Sequence, residues 1–152
     1  MSEPTPTIRF QEPLRVAIIR RTGGYEHAPE AIRTLIGWCA QNRLEINGFI
    51  RLIGYGKPAD GRPDRKRFAV AVPVVSGAPP TDGVAIERLP ACRTLSVMHQ
   101  GSPEAEGGTF RRLEEELGAR RLDYFGVITT YHPADPSVPG ELIEIALALD
   151  PI

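Results

Sequence analysis

The sequence predicts an α+β fold built from a duplicated β-α-β-β unit. One observation is a set of residues that recurs at a spacing of 78 positions, as in "NRLEINGFI" at 42–50 and "RRLDYFGVI" at 120–128. A second is that each copy has one stretch with helical periodicity among stretches that alternate as strands do. The spacing joins five pairs: Arg15 and Arg93, Ile19 and Val97, Gly23 and Gly101, Leu35 and Leu113, and Leu44 and Leu122. We therefore expect two copies of one structural unit.

The first copy predicts, in chain order, a strand, a turn, a helix and two more strands. "RVAIIRR" is the first strand, and Gly23-Gly24 forms a tight turn that leads to the helix "PEAIRTLIGWCAQN". Pro29 suits the first turn of that helix. Its apolar stripe, at i, i+4, i+7 and i+11, is Ala28, Ile32, Leu35 and Cys39. The strands "FIRLIGY" and "FAVAVPV" follow. A nucleotide site at the glycine turn is disfavoured because the chain has no GxGxxG or GxxxxGK[ST] motif there.

The second copy repeats this order with "RTLSVMH", "QGSPEAEGG", "TFRRLEEELGARR", "FGVITTY" and "IEIALAL". Phe110, Leu113 and Leu117 form the apolar stripe of its helix, and the acidic run 114–116 is expected to face water. The last strands of the two copies align only at a spacing of 75, because side chains alternate between the faces of a strand with period two. We therefore expect the second copy to lack three residues in the loop before its last strand.

The opposite face of the two last strands carries small side chains and one carboxylate. These residues are Ala69, Ala71 and Pro73 in the first copy and Glu144, Ala146 and Ala148 in the second. Small side chains leave room above a sheet, so we predict a cleft over this face. An ordinary solvent-facing surface and close helix packing are the alternatives.

The chain is expected to form a single domain over residues 1–152. Its parts are a first half at about 8–74, a Pro/Gly/Ser-rich linker at 75–83 and a second half at 84–152. Val84 to Arg88 is predicted as an edge strand, which Pro90 ends. The segment "MSEPTPTIRFQEP" is predicted as a short polar lead-in.

The composition excludes several classes of function. A net charge of −1 gives no general attraction to phosphate backbones, which disfavours sequence-blind binding of nucleic acid. No apolar run approaches the ~20 residues that a membrane-spanning helix needs. His27, His99 and His132 lack the spacing of metal ligands. Cys39 and Cys92 are expected as free thiols in a reducing compartment. We therefore expect a cytoplasmic protein without a metal or a cofactor and without a membrane partner.

Several segments, in order and at matching length, resemble the GyrI-like small-molecule-binding domain, also called the AraC-type effector-binding domain. They are "RVAIIRRTGGYEHAPEAIRTLIGW", "IGYGKP", "RFAVAVPV", "DGVAIERLPACRTLSVMHQG", "TYHP" and "ELIEIALALDPI". The resemblance covers about residues 8–152. It implies pseudo-symmetric halves, a largely antiparallel sheet with two helices packed on it, and a central cleft that binds amphipathic, often cationic, aromatic compounds. Relatives often carry a DNA-binding domain ahead of this module. Here a short polar stretch precedes it, so we expect a stand-alone module that does not bind DNA directly.

The resemblance and the strand pattern together suggest seven ligand-binding residues: Glu144, Tyr55, Tyr131, Trp38, Tyr25, Ala146 and Phe110. Glu144 comes first, because a carboxylate on a small-residue strand needs water, a donor or a cation; the alternative is a glutamate at the sheet rim, bonded to Tyr or Arg. Tyr55 and Tyr131 close the second strand of each half, where a tyrosine can cover a flat ligand or cap the domain edge. Trp38 lies on the flank of its helix stripe and Phe110 within its stripe, so the core is the alternative place for both.

The leading hypothesis is a module that captures a hydrophobic compound, cationic or planar aromatic, for sensing or sequestration, including in transcription regulation. Two alternatives rest on the family. The chain could modulate DNA gyrase, which would make gyrase or a regulator its partner. It could instead hydrolyse cyclopropanoid electrophiles, with Glu144 activating water as a general base. No Ser-His-Asp, Cys-His or metal set suggests another chemistry, so no catalytic residue is assigned unless the chain is a hydrolase.

Overall fold

The computed structural model describes residues 5–57, 66–101, 105–132 and 141–152. Its elements are β1 (Thr7–Gln11), β2 (Leu14–Thr22), a 3-10 turn (Tyr25–His27), α1 (Ala28–Gln41), β3 (Arg51–Tyr55), β4 (Arg67–Pro73), β5 (Val84–Leu89), β6 (Cys92–Gly101), α2 (Glu106–Ala119), β7 (Gly126–Tyr131) and β8 (Glu141–Ala148). Within these ranges, eight strands form one antiparallel sheet in the order β1-β6-β8-β7-β3-β4-β2-β5. The predicted α+β class and the antiparallel sheet are confirmed.

The strand order is symmetric. Read from the opposite edge, each strand is replaced by its counterpart in the other half. Each half begins with an edge strand that pairs with the other half: β1 pairs with β6, and β5 pairs with β2. The predicted edge strand at Val84 to Arg88 is therefore confirmed as β5. The prediction of a polar lead-in was wrong for Thr7–Gln11, which forms β1. Four of the five residues of β1 are exposed, so this strand lacks the half-buried alternation by which strands are recognised.

The faces of β3 and β7 show that the spacing of 78 changes before these strands. Leu52 and Val127 both lie on the helix-facing side, and Ile53 and Ile128 both lie on the concave side, so equivalent residues of the two strands are an odd number of positions apart. The spacing of 78 still holds at the helix ends, where Arg43 and Arg121 both have φ of 55°. Part of the length difference therefore lies between 44 and 51, and the prediction that all of it lies in the loop before the last strand was wrong. Most of that loop, 133–140, is outside the described residues.

Both helices pack on one face of the sheet, one in each half. The core under α1 includes Leu35, Phe68 and Val72, and the core under α2 includes Leu113, Ile143 and Leu147. These are the apolar positions that the helical and strand patterns indicated. In the described part of the chain, no helix is long and apolar enough to cross a membrane.

The other face of the sheet is concave, because the sheet curls into a half-barrel. Gln11 of β1 and Leu89 of β5, at opposite edges of the sheet, border the same cavity. A third apolar cluster lies on this face: Val16, Ile18, Ile53, Ala69, Ala71, Ile128 and Ala146. The three alanines are 0% exposed. The predicted cleft over this face is present as a cavity, but its described lining includes Ile53 and Ile128 rather than the alanines, which pack closely inside the curl.

Replacing Gly37 with alanine is expected to stabilise the protein by about 0.5–1 kcal/mol. Gly37 lies in the interior of α1, is exposed, and a Cβ atom added there meets nothing within 4 Å. The gain comes from the lower backbone entropy of alanine in the unfolded chain. Urea denaturation followed by circular dichroism measures it, and a lower midpoint would contradict the prediction.

Candidate functional site

A groove runs across the middle of the sheet on the side that carries the helices. It has a volume of about 410 Å³ and is lined by Tyr25, Ala28, Pro29, Ile32, Leu52, Glu106, Thr129 and Tyr131. Its floor comes from β3 and β7, which are the central strands and belong to different halves. Its walls come from the start of α1 and the start of α2. The groove therefore lies where the two halves meet, as the family resemblance implies for a central cleft, but on the face opposite to the small-residue face over which the strand pattern predicted one.

Tyr25 lies in this groove because the lack of a side chain at Gly54 leaves space for its hydroxyl. The glycine turn and the 3-10 turn bring its ring to the edge of Phe68, with ring centroids 5.6 Å apart and planes at 77°. Its hydroxyl lies over Gly54 in β3, where any Cβ atom would overlap it. The ring is still 51% exposed. Burial raises the pKa of the Tyr25 hydroxyl, so the phenol stays neutral at physiological pH.

Tyr131 and Tyr55 do not meet, because they face opposite sides of the sheet. Tyr55 pairs with Gly126 and shares its face with Ile53, whereas Tyr131 shares its face with Thr129. Tyr131 is 39% exposed in the groove, and Tyr55 borders the concave cavity. Tyr131 therefore lines the same groove as Tyr25, and Tyr55 does not.

Glu106 supplies the charge of the groove. Of the described residues that line it, Glu106 alone is ionisable at neutral pH, and it lies in the first turn of α2. The sequence pattern missed it because the segment "QGSPEAEGG" was predicted as a turn, with the helix beginning at Thr109. The structure begins α2 at Glu106. The signal that could have found it is the position itself, since acidic residues favour the first turn of a helix.

A second cavity opens on the concave face of the sheet, with a volume of about 560 Å³. Two hydrogen bonds join Arg20 to Glu87 at its border, from Nη1 to Oε2 at 2.5 Å and from Nη2 to Oε1 at 2.8 Å. Hydrogen bonding to Glu87, together with the nearby Tyr55, raises the pKa of Arg20 further. The same bond from Arg20 lowers the pKa of Glu87. Both groups are charged at neutral pH.

Glu144 lies on the concave face, as the parity of β8 predicted, but its neighbours are arginines. Its Oε2 is 3.5 Å from Nη1 of Arg9, and its side chain is 14% exposed. Burial lowers the pKa of Arg51, and the charge of Glu144 opposes that shift. Glu144 is not among the described residues that border either cavity. This arrangement matches the alternative of a glutamate bonded to arginine.

The other suggested site residues lie in packed regions. Trp38 is 3% exposed in the core under α1, where its Nε1 donates to Oγ1 of Thr81 at 2.7 Å. Phe110 packs against the core under α2, edge-on to Tyr124 at 6.5 Å. Ala146 belongs to the buried cluster of the concave face. The structure therefore brings Tyr25 and Tyr131 together, and places Trp38, Phe110 and Ala146 elsewhere.

No group of three His, Cys, Asp or Glu side chains in the described ranges could hold a metal ion. Cys39 and Cys92 are both buried and free, and burial raises the pKa of each thiol. His99 is buried, with Nδ1 2.7 Å from Oγ1 of Thr109. These side chains fit structural roles better than chemistry with a ligand.

The structure is similar to several solved structures at low sequence identity. The C-terminal domain of EcmrR matches with a TM-score of 0.79 and 11% identity, over 98% of this chain and 99% of that one. In the EcmrR–DNA complex, this chain spans 58% of the EcmrR chain. SAV2435 bound to tetraphenylphosphonium matches with a TM-score of 0.62 and 14% identity, over 96% and 94% of the two chains. A hydrolase from Listeria innocua matches with a TM-score of 0.66 and 11% identity, over 99% and 94%.

At these identities the likeness shows the fold alone. No curated protein has a significant match to the sequence. The family model for the GyrI-like small molecule binding domain matches residues 4–144, which is most of the chain. The protein therefore belongs to the GyrI-like small-molecule-binding domain family.

Proposed function

We propose that the groove between the helices binds a hydrophobic, planar or cationic small molecule, and that the protein uses this binding to sense or sequester such compounds. The observation that carries the proposal is that Tyr25 and Tyr131 line one groove with large exposed fractions, 51% and 39%. Exposed aromatic rings facing one concave space are typical of a site for an apolar ligand.

The chemistry of the groove favours a positive charge on the ligand. A cation in contact with the Glu106 carboxylate gains about 4 kcal/mol at an effective dielectric of 20, before desolvation is subtracted. A cation over a tyrosine ring gains about 0.5–2 kcal/mol more. The other lining residues are uncharged.

The comparisons with known proteins support the binding of a small molecule. The family is one of small-molecule-binding domains, and the tetraphenylphosphonium in the SAV2435 complex is a bulky aromatic cation. The likeness to EcmrR supports a role in regulation, in which this chain would be the ligand-sensing part. The two free cysteines are in keeping with the reducing cytoplasm.

Titration with tetraphenylphosphonium, followed by thermal shift and calorimetry, tests the proposal. We expect Tyr131→Ala to weaken binding by about tenfold, and Glu106→Gln by about fivefold to tenfold, or roughly 1–1.4 kcal/mol. Glu115→Gln is the matched control, because Glu115 lies exposed on the same helix. Triphenylphosphine oxide, which has similar arms without a charge, should respond to Tyr131→Ala but not to Glu106→Gln. Equal affinities of Glu106→Gln and Glu115→Gln for the cation would show that the Glu106 carboxylate does not bind it. Unchanged binding by Tyr131→Ala would show that the ligand does not bind in the groove.

A further inference from the structure

The concave cavity lies on the opposite side of the sheet from the groove. Ile53 and Ile128, the central pair of β3 and β7, line it together with Leu89 and Ile152. Its volume of about 560 Å³ falls in the range of about 300–1,000 Å³ that small-molecule sites usually have. The sheet thus has a second space large enough for a ligand, with an apolar floor.

The charge at this cavity is opposite to that of the groove. Arg20 and Arg67 have the parity of the concave face, because Arg20 pairs with Ala69 across β2 and β4 and Arg67 lies two residues before Ala69. Glu87 is the acid at the border, and Arg20 already binds it through two hydrogen bonds. Arg67 is exposed, and no acidic side chain in the described ranges forms an ion pair with it. Positive charge therefore exceeds negative charge here, in a chain whose net charge is −1.

We propose that the concave cavity is a second ligand site and that it binds an amphipathic organic anion. An acidic head group, carboxylate, sulfonate or phosphate, would accept hydrogen bonds from the guanidinium of Arg67, a group that presents five donors. The apolar body would lie on Ile53, Ile128 and Leu89. Arg20 stays bound to Glu87, so it would attract the anion through its positive charge rather than through a new hydrogen bond. This proposal goes beyond the cation site in the groove, and the two sites share only the strands β3 and β7.

The test uses 8-anilinonaphthalene-1-sulfonate as the anionic probe and N-phenyl-1-naphthylamine, which has the same aromatic body without the sulfonate, as the neutral one. We expect Arg67→Gln to weaken binding of the sulfonate by about fivefold to tenfold and Arg67→Lys by less than threefold, because the lysine keeps the charge but not the guanidinium fork. Arg111→Gln, an exposed arginine of α2, is the matched control and should change nothing. The neutral probe should respond little to any of these substitutions.

The groove and the cavity can be told apart in the same experiment. Arg67→Gln should leave tetraphenylphosphonium affinity unchanged, which also shows that the variant is folded, and Glu106→Gln should leave sulfonate affinity unchanged. Equal sulfonate affinity for Arg67→Gln and Arg111→Gln would overturn the proposal. So would displacement of the sulfonate by tetraphenylphosphonium in direct competition, because the two probes would then share one site. Failure of the cation to bind at all, with the sulfonate pattern intact, would overturn the proposed function of the groove and leave the anion site standing.

Discussion

Replacing Phe68 with alanine is expected to lower the free energy of unfolding by about 3–5 kcal/mol. Phe68 is 1% exposed and lies on the helix-facing side of β4, in the core under α1. Its removal would leave a cavity between α1 and the sheet, and the close packing of β4 against its neighbours limits how far that cavity can collapse. The loss should appear as a lower urea midpoint with an unchanged slope, followed by circular dichroism.

Phe10→Ala provides the control, because the same residue type is 65% exposed on the edge strand β1. It should change stability by less than about 0.5 kcal/mol. If both substitutions cost the same, the assignment of Phe68 to the core would be wrong.

The same position couples the core to the groove. The ring of Phe68 supports Tyr25 edge-on, and such aromatic pairs contribute about 0.5–1.5 kcal/mol beyond their buried area. Phe68→Leu keeps most of the volume but loses the aromatic edge. We therefore expect it to remain folded and to weaken tetraphenylphosphonium binding through a less fixed Tyr25, which separates the packing role of Phe68 from its role at the site.

Much of the fold could be predicted because local patterns are explicit in this sequence. The stripe Ala28, Ile32, Leu35 and Cys39 predicted α1 to within a residue at each end, and the alternation in "FAVAVPV" and "IEIALAL" gave the helix-facing sides of β4 and β8. The registers could not be predicted, because a single sequence does not show which strands pair across the halves. For the same reason, the sequence does not show that β1 and β5 each pair with the other half. It also does not show that the sheet curls.

The candidate site could be predicted in part. Tyr25, which follows a glycine turn, and Tyr131, which ends a strand, are predicted site residues and lie in the groove. Glu106 was missed because the glycines beside it favoured a turn over a helix. The arginine-rich cavity was missed because Arg20 and Arg67 lie far apart in sequence and become neighbours only through the pairing of β2 with β4.

Glu144→Gln is expected to lower the free energy of unfolding by about 2–3 kcal/mol, between the values for exposed and fully buried ion pairs. The carboxylate is mostly buried, lies beside Arg9, and offsets the cost of burying the charge of Arg51. The Nε of Arg51 is buried and makes no hydrogen bond in the described part of the chain, so the field of Glu144 is its main compensation there. Glutamine keeps the shape of the side chain and removes that field, and urea denaturation measures the cost.

A double-mutant cycle with Arg51→Met shows whether the cost arises from this pair. If Glu144 stabilises Arg51, the two substitutions together should cost about 1–2 kcal/mol less than the sum of the single ones. Arg9→Ala, at a side chain that is 61% exposed, should cost less than about 1 kcal/mol. Additive losses in the cycle would contradict a structural role for Glu144.

Glu144→Gln should also leave tetraphenylphosphonium affinity unchanged when binding is measured well below the melting temperature of the variant. A carboxylate held by arginines on the concave face does not reach a cation on the helix face, so a loss of cation binding in Glu144→Gln would move the site from Glu106 to Glu144.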